Sequence, residues 1–376
     1  MTSSALRRAP YAVAALFFLH GLNYGSWAAR LPALKARLAI SDAEVGFFLL
    51  ASGLGAVFSF PVTATLLHKL GAKRLCWLMS ALLPLLLIAL AFVPSYPLAM
   101  AIMVFEGVCA SCLNVAMNAQ AAEIELHGGR AIMSRLHATF SLGMLAAAMI
   151  AAALTHFTSQ VQLHFMLVAV LMWAAALWAG GQLLADSPRS EVDVVRRPFS
   201  LPTGAALWVV VAVFGGTIVE GSMADWTALY LKERTGATES LAAWGLACFS
   251  ITMLLTRWFG DLARTRIGPR RLLLGGGLLA GLGLGGAVLV GGYVAGLLGF
   301  VMVGLGVAAV SPCLYQVAAR QGPVALAAAT TTGSVGFLVG PPMIGFIAHH
   351  LHLGWGLGFV ALSAGLIAYA ATRIDW

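Results

Sequence analysis

Glu106 lies eight residues into Leu98 to Gln120, LAMAIMVFEGVCASCLNVAMNAQ, a run that is otherwise apolar and long enough to cross a bilayer. A charge at mid-bilayer costs about 3 kcal/mol on insertion scales, so such a group is turned toward protein or water and reads as functional by default. Two chemistries suit it: hydrogen bonding to a polar solute, and gain and loss of a proton during a cycle. The structural alternative is an acid that pairs helices. Asn114 and Asn118, four residues apart, share a face of the same run. Glu106 stands roughly 80–120° around the helix from them, so the three would line one broad cavity rather than a narrow stripe.

Other runs carry groups of the same kind. His20, Asn23, Tyr24 and Trp27 fall on one helical face, suited to bonding and stacking on a polar ring, or to packing between helices with the polar groups satisfied. Glu220 and Asp225 lie in VEGSMADWTALYL, about 140° apart; Glu220 is expected to face a cavity and Asp225 to sit at the interface as a structural or gating group. Tyr315 and Gln316 follow Ser311-Pro312 on a later run. These ten, counted without Asp225, form the expected substrate-binding set, with Glu106 as the proton-coupling member. His137, in SRLHATFSLG, suits a proton relay or a bond to Glu123 or a loop carbonyl.

The elements that must position these groups are apolar and many. The 376 residues are 60% hydrophobic and 10% charged, with a mean hydropathy of +0.91. A soluble chain carries about 25% charged residues, so this is an integral membrane protein, its lipid bilayer a constant partner. The net charge of +8 falls in short gaps between apolar runs, not in a compact basic domain, and implies no nucleic acid. Cys76, Cys109, Cys112, Cys248 and Cys313 all lie in apolar runs, and the CxxC of Cys109 and Cys112 has no second pair to complete a metal site. No phosphate loop or nucleophile elbow occurs, so neither an enzyme nor a cofactor or metal is expected.

Twelve spans fit, at about 10–29, 44–67, 74–93, 97–120, 136–156, 162–184, 203–228, 241–263, 271–291, 293–317, 325–348 and 353–372. Arg7 and Arg8 before the first run resemble a signal peptide, but that run continues far enough to span. With the N-terminus inside, sixteen Lys and Arg occupy inner gaps and five (Arg30, Lys35, Arg37, Lys232, Arg234) outer ones, which predicts cytoplasmic termini in a bacterial inner membrane. Arg257 falls inside the eighth span. The polar stretch 185–202 reads as a cytoplasmic linker between six-helix bundles at 1–184 and 203–376. The tandem prolines Pro341 and Pro342 are expected to kink or break the eleventh span.

The bundles read as repeats. Trp27, Ala29 and Gly46 match Trp226, Ala228 and Gly245 at an offset of 199. Gly71, Lys73, Arg74 and Leu75 match Gly268, Arg270, Arg271 and Leu272 at 197, and Ser141-x-Gly143 matches Ser334-x-Gly336 at 193. A parallel six-plus-six repeat is the architecture of major facilitator transporters.

HKLGAKR (68–74) and TRIGPRR (265–271) resemble that superfamily's cytoplasmic loop motif, in which basic residues latch one conformation against acids of neighbouring helices. The family's usual Asp is replaced by His68 and Thr265. The expected latch is Lys73, Arg74, Arg270 and Arg271, with Arg257 and Asp261, spaced i,i+4, serving the second half. WAARLPALKARL, EGSMADWTALYL, SRLHATFSLG and VGFLVGPPMIGF together resemble a bacterial branch related to the fucose-permease and bypass-of-stop-codon groups. That resemblance implies an all-α membrane fold and a monomeric secondary transporter of a small polar solute, a sugar or sugar-derived metabolite. It also implies a proton-coupling carboxylate in the fourth span, where Glu106 stands. The family's further acid in the first span has only His20 and Asn23 in its place. The same residues suit an exporter of metabolites or drugs working by proton antiport, or a non-transporting membrane receptor or scaffold.

Overall fold

The computed structural model describes residues 3–128, 132–185 and 204–376, without the side chains of residues 3–5, 205, 261 and 323. The expected linker at 185–202 falls outside them almost entirely, as do Arg130, Arg189, Arg196, Arg197 and the side chain of Asp261.

The described residues form helices alone: α1 (Ser3–Ala29), α2 (Leu31–Leu38), α3 (Asp42–Phe92), α4 (Tyr96–Gly128), α5 (Met133–Phe157), α6 (Val161–Gly180), α7 (Ala205–Thr235), α8 (Glu239–Ile267), α9 (Pro269–Val290), α10 (Tyr293–Val307), α11 (Val310–Gln321), α12 (Pro323–His350) and α13 (Leu353–Ala371). Ten stretches are long and apolar enough to cross a membrane, α10 and α11 together making one of them. The longest, α3, breaks at Gly71 into two arms, which makes eleven passes. The twelfth is α1, whose 27 residues reach about 40 Å; His20, Asn23 and Tyr24 dilute its apolar character.

Local chemistry sets the ends. Ser41 caps α3 and Glu44 reaches back to the Ser41 amide at 2.8 Å, a capping box. Thr238 caps α8. The repeat is visible in the backbone: Gly71 (φ 77, ψ 167) ends the first arm of α3, and Gly268 (φ 84, ψ 149) ends α8 in the corresponding loop. That region of backbone space is open to glycine and costly for any residue with a Cβ. Gly291 and Gly292, both at positive φ, end α9 at the break expected there.

Three readings change. The gap after the first span holds the short helix α2, and α7 runs on to Thr235. The tandem prolines do not break α12, which is helical from Pro323 to His350. They lie instead where α12 meets α3: a Cβ on Gly46 would sit 3.0 Å from Pro342 Cα and 3.1 Å from the Pro341 oxygen. The interruption on the C-terminal side comes at Ala308–Ala309, between α10 and α11.

Helix α3 packs along α4, α1 along α5, α7 against α12 and α13, and α9 against α10 and α13. The early and late helices join through α5 on α8 and α3 on α12. The tightest approach matters for the site. A Cβ on Gly107 would lie 1.9 Å from the Ser52 carbonyl oxygen, and one on Gly55 would lie 2.0 Å from that of Val104. Small residues thus let α3 and α4 touch backbone to backbone, which carries Ser52 to Glu106.

Replacing Gly107 by Ala forces these helices apart and should cost about 1–3 kcal/mol, read as a lower melting temperature in detergent. Gly286→Ala, in open space on α9, should be neutral or slightly stabilising. Equal melting of both variants would show that the contact has slack.

Candidate functional site

Glu106 is 5% exposed. Its Oε2 accepts from Ser52 Oγ at 2.7 Å and its Oε1 from Asn23 Nδ2 at 3.0 Å. Three helices, α1, α3 and α4, therefore meet on one carboxylate. Among the described residues no basic side chain forms an ion pair with it. One residue along α1, Tyr24 donates to Asp225 Oδ1 at 2.7 Å, a bond between residues 201 apart in the chain. Trp27 stacks edge-on against Tyr24 with ring centroids 4.7 Å apart. Asp225 is buried among the helices, and its partner explains how the bundle accommodates it. Trp27 and its repeat mate Trp226 are both buried to within 2%.

Beside this knot lies a cavity of about 620 Å³. Its walls come from α1 (Phe17, His20), α4 (Asn114, Met117), α5 (Met133, Ser134, His137, Phe140), α7 (Thr217, Glu220), α8 (Thr256, Arg257, Gly260, Arg264), the α10–α11 turn and α11 (Ala308 to Tyr315) and α12 (Phe337). It reaches the first residues of α5 and the last turns of α8, the end of the bundle that carries Gly71 and Gly268. Within it Arg257 Nη2 bonds Glu220 Oε1 at 2.5 Å, and Arg257 Nη1 donates to Ser141 Oγ at 3.1 Å.

At the opposite end ion pairs and hydrogen bonds join the early helices to the late ones. Arg30, 1% exposed, pairs with Glu239 at 3.2 Å and donates to the Ser159 carbonyl. Lys35 on α2 bonds both Asp42 and Glu233. Burial alone would lower the Lys35 ammonium, but these two bonds outweigh it and hold it above the ordinary lysine value, so the lysine stays charged near neutrality. Ser240 Oγ donates to the Ala152 carbonyl at 2.8 Å, tying α8 to α5. Arg30–Glu239, Lys35–Glu233, Tyr24–Asp225 and Ser240–Ala152 all join the early helices to the late ones.

The expected binding residues divide between these places. His20, Asn114, Glu220 and Tyr315 line the cavity. Asn23, Tyr24, Trp27 and Glu106 form the closed knot above it. Asn118 donates to Asn114 at 3.0 Å, as a shared face requires. Gln316 is exposed on α11 and does not line the cavity. His137 faces the cavity with its ring edge-on to Phe17; Glu123 pairs with His127 instead. Arg257 is held by Glu220 and Ser141, which α7 and α5 present at guanidinium reach; the side chain of Asp261, its expected companion, lies outside the described residues. Arg74, Arg270 and Arg271 are exposed at the loops, and Lys73 is partly buried. None of the five cysteines is in a disulfide, and Cys112 Sγ lies 3.1 Å from Thr63 Oγ1. Sequence reading missed Ser52 and Ser141. A serine in a run of small residues has the same signature whether it packs or bonds; only a carboxylate or guanidinium opposite it tells them apart.

A family profile described as Major Facilitator Superfamily matches residues 13–341. An MFS-type transporter of Yersinia pestis is 35% identical over 95% of this chain and 94% of its own length. The transporter y4wD of Sinorhizobium fredii is 33% identical over 96% of both chains. Membrane protein MosC of Rhizobium meliloti is 30% identical over 97% of this chain and 89% of its own. In fold, the chain superposes on the crystal structure of the nucleoside transporter NupG with a TM-score of 0.72 at 14% identity, over 97% of this chain and 98% of that one.

If Tyr24–Asp225 helps seal its end, Tyr24→Phe removes a bond worth about 1–3 kcal/mol and should raise the population open at that end roughly tenfold. Hydrogen–deuterium exchange of residues 31–42 and 233–239 should then quicken relative to the native chain. Unchanged exchange in those segments would show that the bond does not hold them.

Proposed function

The chain belongs to the major facilitator superfamily, and from that premise we propose proton-coupled secondary transport of a small polar solute by alternating access. The observation that carries this reading is the cavity of about 620 Å³, bounded by both early and late helices and lined toward the end of the bundle that carries Gly71 and Gly268. At the opposite end early and late helices are joined by bonds between residues as far apart as 201 positions. Such bonds can break together when residues 1–184 and 203–376 rock as two six-helix halves, exposing the site to the other side. The positive-inside count supports placing the open end and both termini in the cytoplasm of a bacterial inner membrane. The conformation is then inward-facing.

Glu106 is the proton-coupling group in this reading. Its partners are two neutral donors, and Ser52 Oγ can accept as readily as donate. A carboxylic acid on that site can therefore keep its place in either charge state. It also touches Asn23, whose neighbour Tyr24 holds Asp225 across the halves. A change of charge at Glu106 would alter the α1 contact next to the seal.

Sealed proteoliposomes with an internal pH dye test this. Challenged with sugars, sugar acids, amino acids and cationic drugs, the native chain should move protons with one class, and Glu106→Gln should abolish that movement. The sign of the pH change separates import with protons from antiport. Proton movement that survives in Glu106→Gln would remove Glu106 from the role, and radiolabel counterflow of the solute without any proton movement would mark a uniporter. Binding without counterflow would favour a receptor.

A further inference from the structure

Asp225 on α7 is 4% exposed, and the hydrogen bond it receives comes from a phenol, Tyr24 Oη at 2.7 Å. The described residues include every side chain of α4, those of α1 from residue 6 and those of α7 from residue 206. Among the described residues no cation pairs with Asp225. The ion pairs of Arg30, Lys35 and Arg257 go instead to Glu239, to Asp42 and Glu233, and to Glu220. An ionised carboxylate buried on a single neutral donor is expensive, and such a group avoids the cost by keeping its proton.

The neighbour that acts on Asp225 by charge is a second acid. Glu106 on α4 lies close enough to be felt at both Asp225 and the Tyr24 hydroxyl. Its own hydrogen bonds come from the neutral groups of Ser52 and Asn23. Two neighbouring acids with neutral donors and no cation cannot both be ionised cheaply, and their protons leave in linked steps. The amide of Asn23 is an independent sign of proton exchange here. Asn23 is 1% exposed and donates through Nδ2 to Glu106, while its Oδ1 is buried without a hydrogen-bond partner. An amide has donors on one arm and an acceptor on the other, so by turning over it can serve a carboxylate or a protonated carboxyl. Consecutive residues of α1, Asn23 and Tyr24, thus hold one acid of an early helix and one of a late helix.

We propose that Asp225 is a second proton-carrying carboxylate, protonated in this conformation, and that Asp225 and Glu106 titrate as a coupled pair on α7 and α4. The proposal rests on the proton-coupled reading and adds to it a second proton-binding group. The proton is exchanged with Glu106 or with water on the side to which the site is open. With Asp225 protonated, its bond to Tyr24 joins two neutral groups. With Asp225 ionised, the same hydroxyl meets a charged oxygen, and such a bond is roughly twice as strong. Proton loading of Asp225 therefore loosens α1 on α7, and proton release tightens it.

Infrared spectroscopy of the purified full-length chain in lipid, taken through a pH series, reads protonated carboxyl groups by their carbonyl stretch. At neutral pH the spectrum of the native chain minus that of Asp225→Asn should leave a carboxyl band. The band lost in Glu106→Gln should titrate at a different pH once residue 225 is Asn, because the two acids are coupled. No band in the first difference, or an unmoved titration in the second, overturns the proposal. Should Asp225→Asn fail to fold, Asp225→Glu replaces it: the longer acid should move the band in frequency, and an unmoved band overturns the proposal. In sealed proteoliposomes Asp225→Asn should lose solute-driven proton movement, and movement at the native rate overturns the proposal. The spectra need no solute. Failure of the transport reading would leave the carboxyl band in place while no solute moves protons, whereas failure of the Asp225 role would remove the band while the native chain still moves them.

Discussion

A carboxylate inside an apolar bundle has no water to turn to, so every one that is kept there must be met by another helix. Three such carboxylates are seen among the described side chains. Glu106 is met by Ser52 and Asn23, Asp225 by Tyr24, and Glu220 by Arg257. Each bond joins two helices, and the second ties an early helix to a late one. The position of α1 relative to α3, α4 and α7 follows from satisfying these groups as much as from apolar packing, which in lipid offers little directional preference.

The two ends of the bundle answer different physical demands. At one, Arg30, Lys35, Glu233 and Glu239 form ion pairs between early and late helices, and glycine and proline bring α3 onto α12. At the other lies a cavity whose wall mixes phenylalanine with serine, asparagine, histidine and the Arg257–Glu220 ion pair. Ionic clasps suit a reversible seal. Each exchanges protein partners for water when it opens, so the net cost of opening is a small difference between large terms. Packed apolar surface at the same place would hold one conformation more firmly.

Glycine does separate work in the two settings. Gly71 and Gly268 turn the chain at equivalent loops of the repeat, in a backbone region that costs other residues strain. Gly55 and Gly107 turn nothing; they remove side chains so that α3 and α4 meet closely enough for Ser52 to reach Glu106. The first kind preserves topology and the second kind preserves the site.

By itself the sequence determined the spans, the repeat and the presence of charges inside the membrane. Runs of about 20 apolar residues, Gly71 against Gly268, and Glu106, Glu220 and Arg257 within such runs are local facts that hydropathy and spacing expose. His20, Asn114, Glu220 and Tyr315 were legible as cavity residues for the same reason: a polar group on an apolar helix has few places to go. Partnership was decided by the tertiary structure alone. Arg257 is bonded by Glu220, 37 positions away on α7, and by Ser141 on α5. Asn23 and Tyr24 share a face of α1 but are drawn to different carboxylates, on α4 and α7. Pro341 and Pro342 read as a kink or a break; α12 stays helical through them, and they lie against Gly46 of α3. Periodicity orients a side chain around its own helix axis; which helix stands opposite, and how near, depends on contacts between residues as far apart as 201 positions, and no local pattern encodes them.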